Sequence, residues 1–116
     1  MDEKQFKEQV TKLKTRLNPP DDMDAETFDK LLGQLVEDTF YIAMNNLYPF
    51  ENEYPEKLPK KYENWQIRVC KYLWTNAKFL GIIQYSENGV TLIFNGDYIP
   101  NTLMNELIPY AKLLRR

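Results

Sequence analysis

Lys61-Tyr62-Glu63-Asn64-Trp65-Gln66-Ile67-Arg68, followed later by Tyr85-Ser86-Glu87-Asn88-Gly89, decides the reading of this chain. The first stretch opens a long helix that starts at Pro59 or Lys60 and is expected to run to about Leu80. Tyr62, Trp65, Val69, Tyr72, Leu73 and Asn76 lie close to one face of it, with Cys70 and Phe79 flanking. Gly81 stands just beyond, where a helix ends in a left-handed conformation. The second stretch is a tight turn. Asn88-Gly89 separates two short β-prone segments, and Asn-Gly favours a type I′ turn because that turn needs positive φ at both central residues. A β-hairpin is therefore expected at about 82–94. An isolated hairpin is marginal in water, so this one must pack on helices or pair with a neighbouring chain.

The rest of the chain is organised around these pieces. Upstream, Phe6, Val10, Leu13 and Leu17 repeat at helical spacing from Glu3 to Leu17, until Asn18-Pro19-Pro20 removes a donor and stops the helix. A second helix is expected after Asp21-Asp22-Met23-Asp24, with Asp24 as N-cap and Glu26 and Asp29 near the positive end of its dipole. Its apolar stripe is broad: Phe28, Leu31, Leu32, Leu35, Val36, Thr39 and Ala43, widened by Phe40, Tyr41 and Ile42, ending near Leu47. Downstream, Asn95-Gly96-Asp97 makes another turn. Pro100 suits the first turn of a fourth helix carrying Leu103, Leu107 and Ile108, which Pro109 ends or kinks. The expected fold is mainly α: a small four-helix bundle-like domain over 1–109, with one β-hairpin between the third and fourth helices. A C-terminal tail follows over 110–116. The third helix is expected to be the central one.

Composition narrows the function by exclusion. The chain has 116 residues, one domain's worth, and is 43% hydrophobic and 28% charged, which suits a folded globule. Net charge is −2, unlike the basic balance of a dedicated nucleic-acid binder. There is no histidine, so the commonest general acid–base and metal ligand are both missing. The four glycines at 33, 81, 89 and 96 are scattered and form no phosphate loop. Cys70 is the only cysteine, which rules out an intrachain disulfide. It reads as a small core residue and fits a reducing compartment. No apolar run approaches a membrane span, and the N-terminus lacks a signal-peptide core, so a cytoplasmic protein is expected. Helix capping accounts for the acidic run at 21–29, which lacks the glycine and terminal glutamate of a calcium loop. No enzyme activity and no cofactor is expected.

Two features admit contact roles. Tyr48, Phe50 and Tyr54 make the loop before Pro59 aromatic as well as charged. Those rings either form a contact surface or fold back over the helix ends. Arg68 either lies on a solvated face, pairs with Glu63 or Asn64, or crosses a subunit interface. Aromatic residues are 14% of the chain, a share that suits either an interface or amphipathic core edges.

Pro59, Tyr62-Glu63, Gln66-Ile67-Arg68, Tyr72-Leu73, Tyr85 to Gly89, Ile99-Pro100 and Leu103, in that order, resemble the gp6-like head–tail connector (adaptor) proteins of tailed bacteriophages. The resemblance covers about half of the chain. It departs from the family's usual pattern at Cys70-Lys71-Tyr72-Leu73-Trp74, at Tyr98 and after Pro109. The resemblance implies a structural virion protein that forms a ring on the portal, extends the DNA channel and docks stopper or tail proteins. Its partners would be the portal protein, a stopper or other tail-completion protein, and further copies of itself. DNA would only pass through the channel, and no membrane is involved. The location would be the head–tail interface of the virion, and the host cytoplasm during assembly. The tail residues Tyr110, Lys112, Leu113, Leu114, Arg115 and Arg116 would reach the portal. Arg68, Tyr85, Glu87, Asn88 and Gly89 would make subunit contacts. The other reading is a small helical adaptor or regulatory protein that binds a phage or host protein.

Overall fold

The computed structural model describes residues 1–49, 53–77, 83–86, 89–92 and 99–109, with only the backbone at 83–86 and 89–92. Three helices form the body. α1 spans Glu3–Arg16, α2 spans Ala25–Leu47, and α3 spans Glu63–Thr75 after a 3-10 turn at Lys60–Tyr62.

Each boundary has a local cause. The Asp2 carboxylate accepts the Gln5 amide at 3.0 Å and caps α1. Lys14 and Arg16 complement the negative end of that helix. Leu17 then turns extended before Asn18 and the two prolines. Asp24 caps α2 by accepting the Thr27 amide at 2.7 Å. α3 stops at Asn76, whose side-chain amide and backbone N–H both donate to the Tyr72 carbonyl.

α2 carries most of the core. Ten of its residues are buried, paired at alternating steps of three and one from Phe28 to Leu47, so a wide stripe faces inward. α3 meets it with Trp65, Ile67, Val69, Cys70 and Leu73, and α1 adds Leu13. Phe28 and Trp74 meet edge to face at 5.3 Å. Gly33 lets α1 approach closely, since a Cβ there would lie 3.1 Å from the Phe6 ring.

The expected fold class needs correction. The molecule is mainly helical, but it is not a four-helix bundle with a hairpin inserted. The fourth helix, α4, is a single turn at Asn101–Met104. Beyond it Glu106 and Leu107 bond three residues back, to Leu103 and Met104, and do not continue an α ladder. Among the described residues, strand pairing is limited to β1 at Ile83–Ser86 and β2 at Gly89–Leu92, antiparallel with Ile83 opposite Leu92 and Ser86 opposite Gly89. Residues 87 and 88 lie outside the described residues, so no type I′ turn is established. The hairpin is not retained as a defining element of the fold. α3 ends at Thr75, shorter than expected, and packs against both α1 and α2 while its other side holds the C-terminal segment. The proposed helix end near Leu80 and its Gly81 cap fall outside the described residues.

Candidate functional site

The inner face of α1 carries polar side chains. Gln5 and Gln9, one turn apart, are buried with Leu13, while Phe6, Val10 and Leu17 are only half-buried against the core. The helix is rotated by about one residue from the face that apolar spacing marks out. The side-chain amide of Gln5 pairs in both directions with the Leu58 peptide, at 2.8 Å each way. It also donates to a Glu63 carboxylate oxygen at 3.0 Å. The Asp2 amide donates to the Glu56 carbonyl. These bonds fasten the loop before Pro59 onto α1.

Gln9 extends the seam inward. Its Nε2 donates to the Glu63 carbonyl and to Gln66 Oε1, both at 2.9 Å. Gln66 Nε2 donates to the Val36 carbonyl at 2.8 Å and to Thr39 Oγ1 at 3.2 Å. Thr39 Oγ1 donates back to the Leu35 carbonyl and lies 3.5 Å from Cys70 Sγ. A chain of polar side chains thus links all three helices through the buried interior, and among the described residues Gln9 Oε1 is a buried atom without a partner. Burial pushes the Cys70 thiol up to about 12, which keeps it protonated and unreactive.

The opposite side of α3 holds the C-terminal segment. Trp65 Nε1 donates to the Leu103 carbonyl at 2.7 Å, and the Ile108 amide donates to the Tyr62 hydroxyl at 3.4 Å. Arg68 makes a two-pronged pair with Glu106, Nη1 to Oε2 at 2.7 Å and Nη2 to Oε1 at 2.6 Å. That pair holds the Glu106 carboxyl below the usual range and raises the Arg68 guanidinium further. Of the roles open to Arg68, pairing with Glu63 or Asn64 is replaced by this bridge to a residue far along the chain. Sequence spacing could not find it, because the partner arrives by tertiary folding.

Tyr85 and Gly89 lie in β1 and β2, whereas Glu87, Asn88 and the tail residues Tyr110, Lys112, Leu113, Leu114, Arg115 and Arg116 lie outside the described residues. The acidic run is consumed locally: Asp24 caps α2 and Asp29 pairs with Lys14 at 2.9 Å. Among the described residues no group of three potential ligands could hold a metal, and no helix is long and apolar enough to cross a membrane. A shallow cleft of about 150 Å³ opens beside Asp2, Lys4, Gln5, Glu8, Lys57 and Glu63, but its one buried amide, that of Gln5, is already fully engaged. The aromatic loop divides between its two readings. Tyr48 packs against the core, Tyr54 is 37% exposed with its hydroxyl bonded to Asn45, and Phe50 lies outside the described residues. Tyr41, on the same helix as Asn45, is 46% exposed.

No protein-family model, no curated protein and no solved structure matches this chain.

Polar groups in the interior serve each other. The surface presents paired charges, two exposed tyrosines and a C-terminal segment seated on α3.

Proposed function

We propose that this chain is a structural subunit of a phage head–tail connector, a ring that sits on the portal, lengthens the DNA channel and receives a stopper or tail protein. The observation that carries this reading is the ordered set of residues from Pro59 to Leu103 in which the chain resembles the gp6-like family. Their roles in the fold support it. Glu63 and Gln66 bind α1 into the bundle, and Ile67 and Leu73 are fully buried. Tyr62 and Arg68 hold the C-terminal segment, while Ile99 is buried and the Leu103 carbonyl receives the Trp65 indole. The residues that carry the resemblance are thus ones that hold this chain's own fold together. A net charge of −2 suits a channel through which DNA must slide without being held by its phosphates.

In this reading the chain beyond Pro109 reaches the portal. Ending the chain after Pro109 is expected to abolish co-sedimentation with portal rings and leave the unfolding midpoint unchanged. A shortened chain that still sediments with the portal would remove the tail from the account.

The exposure of Tyr41 and Tyr54 favours one alternative, a helical adaptor that binds a single phage or host protein through its aromatic loop. A one-to-one complex that forms without a ring and is lost in Tyr54→Ala would select it.

A further inference from the structure

We propose that residues 99–108 form a strap that seats on α3 as a unit, and that Arg68 is the positioning residue that sets its register and hence the position of Pro109. The segment cannot hold its own shape, because its helix is one turn long and isolated turns are unstable. Its position comes from α3. Ile99 and Leu107 are buried at either end, 4% and 5% exposed. Those apolar anchors supply burial without direction. Direction comes from the polar contacts. The Trp65 indole holds the Leu103 carbonyl, and the Arg68 guanidinium grips both oxygens of Glu106. A planar two-bond fork fixes distance and angle together, which a single point charge does not. Immediately beyond, the Ile108 side chain is 67% exposed while its amide still donates to the Tyr62 hydroxyl at 3.4 Å, the last contact of the strap before Pro109.

This assigns Arg68 a partner within its own chain, where sequence reading left a subunit contact open. Its consequence for docking rests on the connector reading; the strap itself does not. The two are separated by measuring amide exchange of 103–107 in the isolated protein and, independently, binding to portal rings. Arg68→Lys keeps the charge and loses the fork; Glu106→Gln keeps the shape and loses the charge. Both side chains are solvent-exposed, 49% and 39%, so the bundle tolerates either change, and exchange in α2 serves as the control.

Each variant is expected to speed exchange of the Glu106 and Leu107 amides roughly tenfold or more, with α2 unchanged. The charge-reversed pair Arg68→Glu with Glu106→Arg is expected to restore protection. Protection unchanged in both single variants would overturn the proposal, as would a reversed pair no better than either single variant. If the wild-type protein fails to bind the portal, the connector reading falls, while exchange and its rescue still decide the strap. Faster exchange with undiminished portal binding would confine Arg68 to seating the strap and overturn its role in placing the tail.

Discussion

Gln66 shows what a single residue does here that its neighbours in sequence do not disclose. It accepts from Gln9 on α1 and donates to Val36 and Thr39 on α2, so one side chain ties three helices. Removing one member of such a pair leaves a buried polar atom unmatched, which costs more than removing both. Gln9→Leu and Gln66→Leu are each expected to lower stability by about 1–3 kcal/mol, and the double variant by less than their sum, in urea unfolding. Strict additivity would mean that the two amides do not act together. Cys70 makes a second case. With its thiol fully buried and its pKa pushed up to about 12, it should resist thiol reagents in the native protein and react only on unfolding. Labelling at the rate of a free thiol without denaturant would contradict the packing of α2 against α3. Cys70 was readable from sequence as a core residue because free cysteine is so often buried. The glutamines were not, since nothing in an apolar pattern distinguishes a buried, partnered amide from a solvated one.

At the scale of elements, local signals set the first two helices and tertiary contacts set the last. Asp24 and the Asn18-Pro19-Pro20 break are visible by inspection, and α1 and α2 begin and end within a residue or so of where those signals put them. The expected fourth helix had its proline and its apolar spacing, yet only one turn forms. The Leu103 carbonyl accepts both the Trp65 indole and the Glu106 amide, and the Glu106 side chain turns to Arg68. Acidification should test this element. Glu106 is held below the ordinary glutamate value of 4.5, mainly by its bond from Arg68. A depressed carboxyl stabilises the fold above its unfolded value and loses that contribution as pH falls through its folded value. The Asp24 cap has the same sign. Asp38, raised by burial, has the opposite one: its contribution is present at low pH and lost as pH rises. Protection of the Trp65 indole N–H is therefore expected to fall as pH drops below 4.5, and to lose that dependence in Glu106→Gln. Protection that holds steady across this window in the wild-type protein would mean that the ion pair does not secure the strap.

At the scale of the whole molecule, three helices enclose a core that α2 dominates, and the C-terminal strap closes against α3. The mainly helical class was legible because helical spacing and caps repeat along most of the chain. The lengths of the third and fourth helices were not, because they depend on tertiary contacts. The contact residues were least legible of all. Arg68 is engaged within its own chain, and an interface leaves no periodic trace in one sequence. Among the described residues, Tyr41 and Tyr54 are the exposed aromatic side chains that the proposed assembly role would use. The most direct test is to mix the purified protein with the portal protein of the same genome and image the mixture by negative-stain electron microscopy. A second ring stacked coaxially on the portal is the result this account expects. Bare portals at protein concentrations well above micromolar would contradict it.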